Sequence, residues 1–140
     1  IIKKKIISAI DKKLNIIFCI GETYLQKKER RTFSVIRNQI KGSLEKNFKK
    51  NNIIVAYEPI WSIGTGKIPT AIELQKTTIY IKKVLKTIFK KNSPAVLYGG
   101  SVDGSNVEMF KEIREIDGFL IGGASKSSKK FIDIIKNYYK

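Results

Sequence analysis

The 140-residue chain has no histidine, one cysteine, one methionine and one tryptophan, and it sets 12 acidic residues against 28 basic ones. Without histidine, imidazole metal sites and histidine-based triads are excluded within the chain, and no metal is expected. A lone cysteine, Cys19, allows no internal disulfide, and its place inside an apolar strand predicts a buried thiol. No apolar run approaches the ~20 residues that span a membrane and no leader pattern is visible, so the expectation is a cytoplasmic protein without a membrane partner.

The shortage of acids leaves a net charge of +16. Such a charge suits polyanions, but the lysines are spread along every predicted helix rather than massed in a tail, as on a solvated face. No aromatic-studded RNA-binding pattern or zinc-ligand spacing accompanies them, so no specific nucleic-acid partner is expected, and a basic nucleic-acid-binding module is the weakest alternative.

Residues 1–140 read as one domain, because no linker divides them. The first segment, 1–13, carries Ile2, Ile6, Ala9 and Ile10 at helical spacing and ends in Lys12 and Lys13, which suit a helix carboxyl end. Residues 15–20 run Asn-Ile-Ile-Phe-Cys-Ile, apolar after the asparagine and closed by Gly21, as expected of a strand covered on both faces, with Glu22 at its carboxyl end. Thr23 to Gln26 has capping-box spacing, and Phe33, Ile36, Ile40 and Leu44 predict a helix from Thr32 to about Phe48. Asn51-Asn52 break the chain before a second strand, Ile53 to Tyr57.

A second capping box, Thr70 to Glu73, opens the clearest helix, lined by Leu74, Thr78, Ile81, Leu85 and Ile88 and stopped at Asn92-Ser93-Pro94. A third strand at Ala95 to Tyr98, a short helix at Val107, Phe110 and Ile113, a fourth strand at Phe119 to Ile121 and a last helix through Phe131, Ile134, Ile135 and Tyr138 complete the order. Four strands separated by helices imply parallel pairing through right-handed crossovers; periodicity leaves open whether the sheet is open or closed.

In that order the strand ends are where chemistry gathers. Glu58 follows Ile-Ile-Val-Ala-Tyr directly, a costly place for an unpaired carboxylate, and the glycines and lysine behind it suit a loop that wraps amides around an anion. Gly99-Gly100-Ser101 and Gly122-Gly123 follow the third and fourth strands, so parallel topology brings all three segments to one rim. Taken singly, each Gly-Gly is as well read as a tight turn.

The stretch Ala56-Tyr57-Glu58-Pro59-Ile60-Trp61-Ser62-Ile63-Gly64-Thr65-Gly66-Lys67 resembles the catalytic-loop signature of the triosephosphate isomerases. Phe18-Cys19-Ile20-Gly21-Glu22, Leu97-Tyr98-Gly99-Gly100-Ser101-Val102 and Asp117 to Ser125 agree with the family in the same order, so the resemblance covers nearly the whole chain.

It implies an α/β fold of the TIM (β/α)8 barrel family, of which the chain would supply only the C-terminal four βα units preceded by one helix. A complete barrel takes ~250 residues, and the chain opens at Ile1 without an initiator methionine, so a C-terminal piece is the expectation.

The resemblance further implies an isomerase of glycolysis and gluconeogenesis that interconverts glyceraldehyde 3-phosphate and dihydroxyacetone phosphate without a cofactor, with Glu58 as the base. Gly64, Ser101, Gly122 and Gly123 would meet the substrate phosphate. The lid would comprise Pro59, Ile60 and Trp61 as one hinge, Ser62, Ile63, Gly64, Thr65 and Gly66 as its tip, and Lys67, Ile68 and Pro69 as the other hinge.

Ile68-Pro69 is bulkier and stiffer than the small residues common at that hinge, and 125–130 is more basic than the family pattern. The family's catalytic lysine and histidine belong to earlier strand ends, as does much of its homodimer contact, so dimerisation by the family mode lacks support and the isolated chain is expected to have negligible turnover. The alternative is a non-catalytic phosphate-binding half barrel.

Overall fold

The computed structural model describes residues 1–49, 52–90 and 93–140. Asn51 of the expected polar break and Asn92 of the expected helix stop lie outside the described residues. The elements run α1 (Ile2–Asp11), β1 (Ile16–Ile20), α2 (Tyr24–Lys28), α3 (Thr32–Ser43), β2 (Ile53–Tyr57), α4 (Ala71–Phe89), β3 (Ala95–Tyr98), β4 (Gly118–Phe119) and α5 (Ser128–Tyr138). Short 3-10 turns occupy Ile60–Ser62, Val107–Glu112 and Gly123–Lys126. The strands form one four-stranded parallel sheet in the order β1-β2-β3-β4. Four parallel strands in sequence order, joined through helices, are what the half barrel implied by the resemblance requires.

Register is what positions the site. Ile20 pairs with Tyr57, Tyr57 with Tyr98 and Tyr98 with Phe119, so the strands end level with one another. Three amides extend the ladder past that row: Glu58 donates to the Ile20 carbonyl (2.7 Å), Gly99 to Tyr57 (2.9 Å) and Leu120 to Tyr98 (2.9 Å). The expected fourth strand is shortened to Gly118–Phe119, with the Leu120 amide still bonded, because β3 is its only partner among the described residues.

The core lies between the sheet and its helices. Phe18, Ile20, Ile53, Val55, Tyr57, Val96 and Tyr98 turn toward Ile36 and Ile40 of α3 and Leu74, Ile81 and Leu85 of α4, all buried. Both predicted capping boxes form, at Thr23 with Gln26 and at Thr70 with Glu73, and each satisfies two amides of a helix start. An aromatic row, Tyr57, Tyr98, Phe110, Phe119 and Tyr138, continues the core from β2 to α5 with neighbouring centroids 5.1 to 6.4 Å apart.

Several expectations are corrected. The apolar strands are not covered on both faces: Ile17 is 48% exposed, Ile54 36%, and Cys19 is exposed rather than buried. These side chains alternate with the core row and point away from the helices. The strand run is thus that of a two-faced sheet of which this chain covers one face. In α1 only Ile6 is buried, Ile2 stands exposed, and no lysine falls in the last turn.

Helix α3 stops at Ser43, five residues before Phe48, because Leu44 turns extended; Leu44 and Phe48 are buried all the same, from the segment that follows. Phe33 leaves the buried stripe and stacks on Tyr80 of α4 at 4.5 Å. The helix expected near Val107 is a 3-10 turn. Among the described residues, no helix is long and apolar enough to cross a membrane.

Candidate active site

Glu58 is the first residue beyond β2, and its amide, tied to Ile20, fixes where its side chain starts. Gly99 makes the room for that side chain: a Cβ there would stand 2.6 Å from Glu58 Cγ and 2.8 Å from Oε1. The carboxylate therefore lies over the carboxyl end of β3. Cys19 lies close enough to feel the Glu58 charge. Partial loss of water around the sulfur, followed by the Glu58 charge and the hydrogen bond to it, pushes the thiol up to about 11.

Above its pKa a thiol is the reactive thiolate, so at pH 8 Cys19 holds far less thiolate than an ordinary cysteine, and higher intrinsic nucleophilicity recovers only part of the difference. Iodoacetamide should alkylate Cys19 about tenfold more slowly than a free thiol at that pH, although the residue is exposed. Glu58→Gln should raise the rate by removing the facing charge. Mass-spectrometric time courses measure both, and alkylation at the free-thiol rate would contradict the pairing.

The segment behind Glu58 is latched. Pro59 and Ser62 are buried, while 63–67 is exposed. Ser62, expected in the lid tip, is buried and anchors the segment through its hydroxyl. Its hydroxyl donates to the Lys67 carbonyl, lies 3.1 Å from the Tyr98 hydroxyl and accepts the Ser101 amide at 3.3 Å. Ser101 closes the latch, donating its hydroxyl to the Ser62 carbonyl at 2.6 Å and accepting the Gly66 amide at 3.3 Å. Gly64 (φ 67°) and Gly66 (φ 73°) take left-handed conformations that let the tip turn back on itself. Burial pushes the Tyr98 hydroxyl up to about 12, with Ser62 pulling it down and the Glu22 charge pushing further up.

Reading the sequence placed Glu22 at a strand end without giving it a task. In the fold it is 1% exposed, accepting the Tyr57 hydroxyl at 3.1 and 3.3 Å and the Trp61 indole N–H at 2.9 Å. Burial first and the Glu22 charge second drive the Tyr57 hydroxyl well above its usual range, which keeps it a donor. Glu22 thus holds Trp61 by its edge. The available signal was the same one that singled out Glu58, a carboxylate just past the end of an apolar strand.

The structure brings Glu58 together with Gly99 and Cys19, and Ser101 together with Ser62 and Gly66. Gly122 and Gly123 lie at the same carboxyl end of the sheet, exposed, with no heavy atom within 4 Å of where a Cβ would stand.

A family model described as Triosephosphate isomerase matches residues 1–138. The chain belongs to the triosephosphate isomerase family. It is 43% identical over 138 residues to the triosephosphate isomerase of Mycoplasma mobile, covering 97% of this chain and 54% of that protein. With the enzyme of Thermodesulfovibrio yellowstonii it shares 37% over 138 residues, covering 97% of this chain and 56% of the relative. A crystal structure of triosephosphate isomerase from Bartonella henselae superposes with a TM-score of 0.88 at 31% identity, over 100% of this chain and 56% of that one. The chain therefore spans about half the length of the relatives it matches. Ile68-Pro69, the bulkier pair expected at a hinge, follows a segment bonded to Ser101 through Ser62 and Gly66.

Proposed function

We propose that the chain carries the base and the phosphate-gripping half of a triose phosphate isomerase site. Glu58 removes a proton from the carbon next to the substrate carbonyl; the C–H electron pair forms the enediolate double bond and the carbonyl oxygen takes up the charge. The same carboxyl group returns the proton to the neighbouring carbon, which converts glyceraldehyde 3-phosphate to dihydroxyacetone phosphate or the reverse. No other reactant is consumed. The reading includes a cytoplasmic location, a triose phosphate as partner, and electrophilic groups contributed by the preceding half of a barrel.

The observation that carries this reading is the position of Glu58 over Gly99, beside a lid latched onto Ser101. A carboxylate confined there reaches into the rim while the lid limits water, and triosephosphate isomerases are themselves a standing example of such closure. Gly64, Gly122 and Gly123 supply amides for the phosphate. The Ser101 hydroxyl is committed to the lid, so its share is the amide, held only by a long bond to Ser62.

The second reading, a phosphate-binding half barrel without turnover, draws on the open inner face with Ile17, Cys19 and Ile54 exposed. One experiment separates the two. Fused behind the N-terminal portion of the Mycoplasma mobile relative, the chain should interconvert the two triose phosphates, while the 140-residue chain alone should show no turnover above buffer. A fused barrel that folds and binds 2-phosphoglycolate yet turns nothing over is the result for the second reading. Robust turnover by the chain alone would overturn the division of labour.

A further inference from the structure

Lys27, on α2, makes two contacts that proton transfer does not use. Its ammonium lies 3.9 Å from the centroid of the Trp61 ring and 3.2 Å from Glu73 Oε1. Trp61 belongs to the first hinge of the lid. Glu73 is the third residue of α4, and its other oxygen accepts the Thr70 amide at 2.9 Å, just beyond Pro69 at the end of the second hinge. One side chain thus touches the first hinge and the start of the helix that follows the second.

Trp61 is held twice, by its edge and by its face. The edge donates to buried Glu22 at 2.9 Å, and the face receives the Lys27 ammonium. Beside them lies a cavity of about 210 Å³ lined in part by Glu22, Lys27, Trp61, Pro69 and Glu73. The ring therefore has somewhere to go if either hold is released, and close packing alone does not pin it.

We propose that Lys27 is a positioning residue that clamps the first hinge of the lid to the start of α4, its ammonium seated on the face of Trp61 and paired with Glu73. That Trp61 is part of a moving lid rests on the isomerase reading; the clamp itself does not. Both contacts are partly wet, with the Lys27 side chain 30% and the Glu73 side chain 46% exposed, so the pair with Glu73 is weak and the larger share falls to the ring contact. Together they favour the docked tryptophan by about three- to tenfold.

Trp61 is the one tryptophan in the chain, so its emission reports this site alone. Acrylamide quenching of the full chain is measured for Lys27→Met and Lys27→Gln, which keep the stem and lose the charge, and for Lys27→Arg, which keeps the charge and stacks on rings. The neutral variants should be quenched about threefold more readily, and the Arg variant should match the parent. Glu73→Gln should fall between them.

Unchanged quenching in the neutral variants, or an Arg variant as easily quenched as Met, would overturn the clamp. If Met does not fold by circular dichroism, Gln decides. The readout needs neither substrate nor turnover. A fused barrel that fails to isomerise therefore leaves this result standing, and a failed clamp leaves the assignment of Glu58 untouched.

Discussion

Glu58→Gln should lower isomerase turnover of the fused barrel by ~100- to 10,000-fold, the usual worth of a positioned general base. The amide has nearly the shape of the carboxylate and fits the same space over Gly99, so the fold and the lid latch on Ser101 should persist. What disappears is the capacity to accept a proton. Binding of 2-phosphoglycolate should change far less than the rate, because the lid and the Gly122 turn are left in place. Turnover is followed by a coupled assay in both directions, and a variant that keeps more than a tenth of parental activity would remove Glu58 from its role.

Gly21→Ala should destabilise the fold by at least about 3 kcal/mol, at the upper end of overpacking effects. An added Cβ would lie 1.9 Å from the Glu58 carbonyl oxygen, 2.5 Å from its carbon and 3.0 Å from the Pro59 nitrogen. All three are backbone atoms, so no rotamer change relieves the clash. Nor is the backbone free to retreat: the Glu58 amide is tied to Ile20 at 2.7 Å, the Ile60 amide to Glu22 at 3.0 Å, and Gln39 holds both sides of the Gly21 peptide.

Urea unfolding should show the midpoint falling by 1 M or more, on an m-value of about 1–3 kcal/mol/M. Gly42→Ala is the internal control, since nothing lies within 4 Å of its Cβ inside α3; there a gain of up to ~1 kcal/mol is expected. Equal midpoints for Gly21→Ala and the parent would mean that β1 and β2 do not meet at their carboxyl ends.

Gly21→Ala also connects stability to chemistry. The atoms it would strike belong to Glu58 and Pro59, so a variant that folds must carry both residues elsewhere. Gly21 leaves room for the backbone of Glu58, and Gly99 leaves room for its side chain.

Sequence by itself determined the order of the elements, both capping boxes, the parallel pairing and the placement of Glu58, Gly99 and Ser101 at strand ends. Those features are local: a capping box closes within four residues, and a strand's direction follows from the helix that returns the chain. Tertiary structure decided what depends on atoms distant in sequence. Cys19 and Ile17 share an apolar run with Phe18 and Ile20, yet alternation turns them to a face that the described residues leave uncovered.

Ser62 reads only as part of a loop tip, and its burial comes from Lys67, Tyr98 and Ser101 converging on its hydroxyl. Glu22 acquires a task only when Trp61, 39 residues away, reaches it. Periodicity reports how a segment alternates between inside and outside. Which neighbour stands on each side is set by packing, and in this fold packing separates Glu22, buried against Tyr57 and Trp61, from Glu58, which lies over Gly99.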